Sequence, residues 1–292
     1  MSFTRRQMLL TTGAALLGPA VANALAARRL AGKKVLFFTK SQGFQHSAIT
    51  RKGTELGHAE KVLTQIGKDH DFEVTCSKDG GMFEPDKIGQ WDAFVFYTTG
   101  VLTEVGTDKQ PAISEKGLQA FLEAVGSGKA GFCGVHSATD TRAFKPEDDP
   151  NDPYTALIGG RFNGHGDQHE AELIVADRSF PGAKDLPPTF RITDEWYSQK
   201  MQPKDLHAIL VHNTKSMKGD DYKRPNYPQT WARMQNKGRV FHTSMGHRED
   251  VWDNPLYQGL VLGGLTWATG QADADVAPNC AKVCPDYLTL EK

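Results

Sequence analysis

The 292-residue chain has no excess of basic residues, since 34 lysines and arginines are balanced by 35 aspartates and glutamates. Without a surplus of positive charge to neutralise phosphates, we expect no nucleic-acid partner. Outside the N-terminus no apolar run approaches the roughly 18 residues of a membrane span, which excludes a multi-span membrane protein. The four cysteines include no C-x-x-C-H motif, so a c-type haem is excluded. The 39% of apolar residues suffices for the core of one large α/β domain.

Residues 1–26 have the pattern of an export signal. Arg5 and Arg6 precede a short apolar stretch, small residues follow, and no acidic residue occurs. Cleavage motifs of the A-x-A type lie at 22–24 and 24–26. This order is typical of a secretory signal, and the arginine pair makes it twin-arginine in type. We therefore expect a periplasmic or secreted protein with no membrane attachment after cleavage. The alternative is an uncleaved anchor, which the interrupting glycines and proline disfavour.

The cysteines divide into two kinds by position. Cys280 and Cys284 lie four residues apart near the C-terminus, and an oxidising compartment would favour a local disulfide between them. Cys76 and Cys133 lie within strand-like apolar runs and are predicted to be small buried hydrophobic residues.

Continuous apolar runs indicate strands that are buried on both faces, as in a parallel sheet. In the first half the predicted strands are 33–40, 72–77, 91–97 and 130–135, with helices over about 50–68 and 112–126. This β-α-β-β-α-β order predicts a doubly wound, mostly parallel sheet with helices on both faces. The second half adds strand-like segments at 171–176, 208–212, 229–234 and 239–243, a closing helix over 254–268 and an extended tail over 271–292.

Polar residues that directly follow strands are the first candidates for a site, because ligands of doubly wound sheets bind beyond the carboxyl ends of the strands. Six of the ten histidines lie in such polar, mostly glycine-flanked segments: His46, His136, His165, His169, His242 and His247. Imidazole can take up or release a proton at neutral pH, which suits acid–base chemistry on a sugar or a carbonyl compound. The Asp194-Glu195 pair is either a base or orienting carboxylate, or a solvated acidic turn.

The sequence leaves cofactors open. His165 and His169 have the i, i+4 spacing of two metal ligands on one helical face, but Gly164 and Gly166 make a helix there doubtful. A divalent metal held by scattered histidines and Glu195 is the other possibility.

Five of the segments together resemble the ThuA-like family, named for trehalose utilisation. They occur in the family's order and read GFQHSAI, GFCGVHSATDT, GGRFNGH, TDEWY and GRVFHTSMGH. The resemblance covers about residues 32–270. It implies a flavodoxin-like fold of the class I glutamine amidotransferase type and a small-molecule carbohydrate substrate.

The resemblance also implies which side chains line the pocket. The residues implied to be catalytic are His46, His136, His247 and Glu195. The residues implied to bind substrate are Phe44, Asn163, His165, Tyr197 and Trp231.

The resemblance associates the chain with sugars oxidised at C3, and we expect an enzyme acting on 3-keto-glycosides or a related disaccharide derivative. A base would remove the acidified C2 proton and an acid would protonate the leaving oxygen at C1, giving elimination and hydration, or net hydrolysis. One alternative is a non-catalytic periplasmic sugar-binding protein. Another is a hydrolase with a Cys133-His247-Glu249 triad, although Val135 stands where a nucleophile elbow needs glycine.

Overall fold

A computed structural model describes residues 30–107, 109–145 and 148–290. The predicted export signal over 1–26 lies outside these residues. Within the described ranges, no helix combines the length and the apolar character that a membrane crossing requires.

The described strands form one large sheet and two small ones. In chain order they are β1 (Lys34–Phe38), β2 (Glu73–Ser77), β3 (Ala93–Phe96), β4 (Gly100–Val101), β5 (Gly131–Val135), β6 (Thr141–Arg142), β7 (Arg161–Gly164), β8 (His169–Val175), β9 (Thr189–Asp194), β10 (Ser198–Lys200), β11 (His207–His212), β12 (Pro228–Gln235) and β13 (Gly238–Thr243). The large sheet has the order β2-β1-β3-β5-β13-β12-β11-β8-β9, and β7 with β10 and β4 with β6 form separate pairs.

The large sheet is parallel at one end and antiparallel at the other. Strands β2, β1, β3, β5 and β13 are mutually parallel neighbours. Each later neighbour, from β12 through β11 and β8 to β9, is antiparallel to the one before it. We call the first set the parallel half and the second, with the β7–β10 ribbon, the antiparallel half.

The apolar sequence of the parallel strands follows from burial on both faces of the sheet. In β1, Val35 and Phe37 belong to one core cluster, whereas Leu36 and Phe38 belong to the other. Successive side chains of a strand point to opposite faces, so a strand covered on both sides is apolar at most of its positions.

Helices cover both faces. They are α1 (His58–Asp69), α2 (Glu115–Gly126), α3 (Pro153–Ile158), α4 (Glu249–Trp252), α5 (Pro255–Ala268) and α6 (Cys280–Val283), with short 3-10 helices at Ser47–Ile49, Gly80–Phe83, Ile88–Gln90, His136–Asp140, Thr214–Ser216 and Asp220–Tyr222. Leu63 of α1 and Leu265 of α5 pack on one face, while Phe121 of α2 and Leu157 of α3 pack on the other. The predicted doubly wound α/β fold is confirmed.

The C-terminal segment differs from the predicted extended tail. Cys280, Cys284 and Tyr287 are buried in a small cluster with Leu206 of the loop before β11, and the Tyr287 hydroxyl donates a hydrogen bond of 2.6 Å to the carbonyl of Pro203. The segment folds back because these apolar side chains cover the end of the antiparallel half. All four cysteines lie in the described residues and are free thiols, so the predicted Cys280–Cys284 disulfide is not formed in this structure.

Candidate functional site

Four polar side chains from distant parts of the chain meet at one edge of the large sheet. His46 follows β1, His136 follows β5, Glu195 follows β9 and His247 follows β13. These strands all run in the same direction, so their carboxyl ends open on the same edge. One potential ligand atom from each side chain lies within 4.8 Å of those of the others. We call these four residues the His–Glu cluster.

The atoms at the centre of the cluster are in close contact. His247 Nδ1 lies 3.1 Å from Glu195 Oε2 and 3.3 Å from His136 Nε2, and His136 Nε2 lies 3.5 Å from Glu195 Oε2. The ring of His46 packs edge-on against the other two imidazoles, with ring centroids 4.8 Å from His136 and 5.1 Å from His247. His46 and His136 are 2% and 0% exposed, so this centre is largely shielded from solvent.

The backbone at His136 is held in an unusual conformation. Its φ of 44° lies in the left-handed region, which a residue other than glycine adopts at a cost of about 1–3 kcal/mol. The ring Nδ1 of His136 lies 3.0 Å from the carbonyl oxygen of Ser244. A carbonyl can only accept, so Nδ1 must carry the proton, and the neutral ring then presents an unprotonated Nε2 to the cluster.

Asp194 holds the loop that carries His247. Its carboxylate accepts hydrogen bonds from the backbone N–H groups of Gly246 at 2.7 Å, Glu195 at 3.0 Å and Arg248 at 3.3 Å. Burial raises the pKa of Asp194 to about 6, against the opposing effect of the nearby His136. Gly246 has a φ of 113°, and a Cβ there would lie 2.5 Å from the Tyr257 hydroxyl, so only glycine fits this turn.

The charges within the cluster are arranged around Glu195. Burial alone would raise the pKa of this carboxyl, but contacts with His136 and His247 outweigh burial and lower it. Burial alone would lower the pKa of His247, but Glu195 outweighs it and raises that pKa. At His46, burial and the two neighbouring histidines lower the pKa to about 2, so this imidazole is neutral. The cluster therefore contains an ionised carboxylate among imidazoles.

An aromatic rim borders the cluster, mostly on the side of the antiparallel half. The Tyr197 hydroxyl lies 3.5 Å from His46 Nε2, and its ring is 4.4 Å from that of His136 and 4.3 Å from that of Phe162. His165 is 40% exposed, and its Nδ1 lies 3.5 Å from Glu195 Oε1. The Phe44 ring packs 4.9 Å from His46. We call Phe44, Phe162, His165 and Tyr197 the aromatic rim.

Phe44 is a large apolar side chain that is 67% exposed beside an otherwise buried polar centre. Such a ring offers a face on which a sugar ring can stack. The cluster and the rim together contain seven of the nine site residues that the sequence predicts.

The other two predicted residues lie elsewhere. Asn163 is exposed and lines a separate cavity with Ser198, Asp221 and Arg224. Trp231 is fully buried, and its Nε1 donates a hydrogen bond of 2.8 Å to the carbonyl of Ile158. Its ring faces are covered by protein, so in this conformation Trp231 cannot stack on a sugar.

The i, i+4 spacing of His165 and His169 does not place them on one helical face, because these residues bracket a loop between β7 and β8; the doubt about a helix at this point is confirmed. His169 Nδ1 lies 2.7 Å from the carbonyl of Asp167, and its Nε2 accepts from the N–H of Lys218. His242 is also outside the cluster; it is buried in β13, with Nε2 3.2 Å from Ser244 Oγ, and burial lowers its pKa well below the usual value.

Two contributors to the site were not predicted from the sequence. Phe162 belongs to the rim, although the family motif drew attention to Asn163 beside it. The alternation of side chains along β7 is the signal that distinguishes Phe162 from Asn163, because adjacent residues of a strand face opposite ways. The second contributor is the backbone carbonyl of Ser244, which orients His136. No residue pattern in the sequence indicates this contact.

The cluster's donor set is suitable for a cation. Three imidazole nitrogens and one carboxylate oxygen are common ligands of divalent transition metals. Acid–base chemistry is equally available to an imidazole and a carboxylate that are in contact.

The fold and the site define an α/β protein with a histidine-rich cluster at the carboxyl edge of a doubly wound sheet. The family profile described as ThuA, trehalose utilisation, matches residues 34–268. The chain therefore belongs to the ThuA family. Among curated proteins, none matches the sequence.

Solved structures with the same fold share little sequence with this chain. A putative ThuA-like protein from Parabacteroides merdae has 20% identity and a TM-score of 0.61, covering 89% of this chain and 100% of its own. A second, from Bacteroides uniformis, has 17% identity and a TM-score of 0.60, covering 86% and 95%. A β-galactosidase from Bacillus circulans has 11% identity and a TM-score of 0.50, and the match covers 85% of this chain but 32% of that enzyme. At these identities the likeness concerns the fold.

Proposed function

We propose that this protein is a carbohydrate-processing enzyme that acts on a 3-keto-glycoside or a related disaccharide derivative. The observation that carries the proposal is the convergence of three imidazoles and one carboxylate at the carboxyl edge of the sheet, beside an exposed aromatic ring. Membership of a family described by trehalose utilisation supports a carbohydrate as the ligand.

The proposed reaction begins at the carbon next to the ketone. A base takes the C2 proton, and its electron pair passes onto the C3 oxygen as an enolate. The enolate then collapses to form the C1–C2 double bond and expels the glycosidic oxygen, which takes up a proton. Water adds across the double bond, so the net result is hydrolysis with no change in oxidation state.

The cluster and the rim suit different parts of this reaction. Positive charge at the cluster, on a protonated imidazole or on a bound cation, would stabilise the enolate oxygen. His165 would exchange protons with the substrate, because it borders Glu195 and its side chain is 40% exposed. Each positioned acid or base typically contributes about 10²–10⁴-fold to the rate.

The arrangement of carboxylates favours this chemistry over that of an ordinary glycosidase. Most glycosidases place two carboxylates on opposite sides of the scissile bond. Here Glu195 is the carboxylate of the cluster, and the neighbouring Asp194 is fully buried and bound to backbone N–H groups.

The environment of Cys133 argues against the alternative of a cysteine hydrolase. Cys133 lies inside β5, is 1% exposed, and has its pKa raised by burial. A buried thiol with a raised pKa yields little of the thiolate that acts as nucleophile. The residue at the end of β5 that adopts the left-handed backbone of a sharp turn is His136.

The test is an assay of purified protein with 3-keto-trehalose and with trehalose, following glucose release. We expect release from the keto sugar only, a loss of at least 10²-fold in His165→Ala, and unchanged activity in His58→Ala. His58 is a suitable control because it pairs with Asp253 on the surface. Failure to release glucose from either sugar would contradict the proposal, and sugar affinity without turnover would favour the sugar-binding alternative.

We further propose that the enzyme works in the periplasm or outside the cell, on the strength of the twin-arginine pattern at Arg5 and Arg6. Cell fractionation tests this. The doubly substituted Arg5→Lys, Arg6→Lys chain should accumulate in the cytoplasm, and export of that variant at the wild-type level would contradict a twin-arginine route.

A further inference from the structure

We propose that the His–Glu cluster holds one divalent transition-metal ion, with His46, His136, His247 and Glu195 as its ligands. The proposal deepens the proposed function by naming the cation that would stabilise the enolate. Only this catalytic role of the ion rests on the proposed function. The binding of the ion itself can be measured without any substrate.

The spacing of the donor atoms is the first argument. Ligands at about 2.0–2.1 Å from a tetrahedral ion lie roughly 3.3 Å from one another. His247 Nδ1, His136 Nε2 and Glu195 Oε2 form a triangle with sides of 3.1, 3.3 and 3.5 Å. These three donors are therefore already at the separations that a shared ion would impose.

The packing of the three imidazoles is the second argument. Their ring centroids are 4.8, 5.1 and 5.1 Å apart, and each pair of rings is within 10° of perpendicular, at 89°, 83° and 82°. His46 is 2% exposed, and its Nδ1 is buried without a hydrogen-bond partner. A buried polar atom without a hydrogen-bond partner destabilises the fold by about 1–3 kcal/mol. A side chain that served only for packing would not need such an atom. Imidazoles that surround a common point are instead typical of a metal centre.

The surroundings of the ligands form the third argument. Metal-binding histidines usually donate their second ring nitrogen to a carbonyl or carboxylate, which fixes the ring and its tautomer. His136 does so through Nδ1 to the carbonyl of Ser244 at 3.0 Å. Asp194 fixes the His247 loop through the N–H groups of Gly246 and Arg248. Two of the four ligands are thus oriented before any ion binds.

The kind of ion follows from the donor set and its charge. Three imidazole nitrogens favour zinc, iron, cobalt or nickel over magnesium or calcium, which prefer oxygen ligands. Three neutral rings and one carboxylate carry a charge of −1, so a divalent ion leaves the site at +1. His247 is only partly buried, with a side chain that is 14% exposed. A substrate oxygen could add as a further ligand from the side of the rim.

Metal analysis of the wild-type protein is the primary test. The chain is purified without a His-tag or chelator, and its metal content is determined by elemental analysis. After removal of metal with a chelator, Zn²⁺, Co²⁺, Ni²⁺ and Mn²⁺ are titrated by calorimetry, and Co²⁺ binding is also followed by visible absorption. We expect close to one equivalent of ion per chain, and a rise in Tm when the ion is restored. Absence of metal after purification, together with no binding in any titration, would overturn the proposal.

Variants locate the ion. His136→Ala and Glu195→Gln should lose the bound metal and the Co²⁺ spectrum, while the surface variant His58→Ala should keep both. Far-UV circular dichroism confirms that each variant is folded. Retention of a full equivalent by both folded cluster variants would overturn the assignment of the ligands.

The same preparations separate this inference from the proposed function. An ion that binds to a protein inactive on 3-keto-trehalose supports the metal site and contradicts the reaction. Glucose release by a metal-free protein at the full rate supports the reaction and overturns the catalytic role of the ion. Activity that is lost on chelation and restored by one of the four ions supports both.

Discussion

The parallel and antiparallel halves of the sheet supply different parts of the site. The inner strands β1, β3 and β5 of the parallel half are buried, and the loops of this half provide the three histidines of the cluster. In the antiparallel half, the edge strand β9 is only partly buried, and this half provides Glu195 and three of the four rim residues. The histidines of the cluster therefore come from the parallel half, and most of the rim comes from the antiparallel half.

This division predicts how substitutions should act. Changes in the His–Glu cluster should affect the chemical step, since the loops that follow buried parallel strands hold its three histidines. Changes at the aromatic residues Phe44, Phe162 and Tyr197 of the rim should mainly alter substrate affinity and choice, whereas His165 is proposed to exchange protons with the substrate.

The largest effect is expected at His136. Replacing it with alanine removes the ring at the centre of the cluster, whether it acts on a bound ion or directly on the substrate. We expect kcat on 3-keto-trehalose to fall by about 10²–10⁴-fold. Steady-state kinetics of His136→Ala against His58→Ala measures this. A loss below tenfold in a folded His136→Ala protein would mean that the His–Glu cluster does not take part in the reaction.

The next effect concerns stability, and two phenylalanines provide a matched pair. Phe121 of α2 is 0% exposed and packs 5.0 Å from Phe96 and 5.1 Å from Phe94 between their ring centroids. Phe190 of β9 is only half-buried. We expect Phe121→Ala to lower the free energy of unfolding by about 3–5 kcal/mol, and Phe190→Ala by clearly less. Urea denaturation of both variants decides this, and equal losses would show that the two halves are equally well packed.

The same contrast explains which parts of the fold could be predicted from the sequence. Strands such as β1 and β5 are uninterrupted apolar runs, because both of their faces are covered, and they were predicted to within a few residues. Strand β9 reads TFRITD, with polar residues on its open face, and gave no comparable signal. The segment at Cys280 was predicted as an extended tail, because its burial depends on a surface that lies far away in the chain.

The candidate site could be predicted to a similar degree. His46 and His136 were candidates because they lie in polar segments that follow predicted strands, and the resemblance to the ThuA-like family implied their place in the site. Trp231 was misplaced because an aromatic residue in a predicted strand looks the same in the sequence whether it faces a ligand or the core. The Ser244 carbonyl that orients His136 belongs to the backbone. Because every residue has such a carbonyl, the sequence could not predict this contact.

The rim gives a prediction on affinity. The ring of Phe162 lies 4.3 Å from that of Tyr197, whereas Asn163 next to it lines another cavity. We expect Phe162→Ala to raise KM by roughly 3- to 10-fold with a smaller change in kcat, because it removes an aromatic contact and leaves the cluster in place. Asn163→Ala should change KM less. The reverse order in steady-state kinetics would mean that the substrate binds on the opposite face of the β7–β10 ribbon.

The smallest predicted effect is a pH dependence of the free energy of unfolding, which arises from Asp177 in the antiparallel half. Asp177 follows β8 and accepts hydrogen bonds from the hydroxyl and N–H of Ser179 at 2.6 and 2.7 Å, and its Oδ2 lies 3.0 Å from His207 Nε2. Partial burial would raise the pKa of Asp177, but the contacts with Ser179 and His207 outweigh burial and lower it. A lowered carboxyl pKa stabilises the fold above the usual aspartate pKa of about 3.9, and this stability is lost as the pH falls through the lower folded-state pKa.

Asp177→Asn should therefore reduce the free energy of unfolding at neutral pH by on the order of 1 kcal/mol or less, as is usual for a partly exposed pair. The difference from wild type should shrink as the pH is lowered from about 5 toward 3, because protonation removes the same charge from the wild-type protein. Urea denaturation at several pH values measures this, with Ser179→Ala expected to change in the same direction by a smaller amount. A difference that stays constant or grows toward low pH would mean that packing of the loop, and not the Asp177 charge, holds this edge of the antiparallel half.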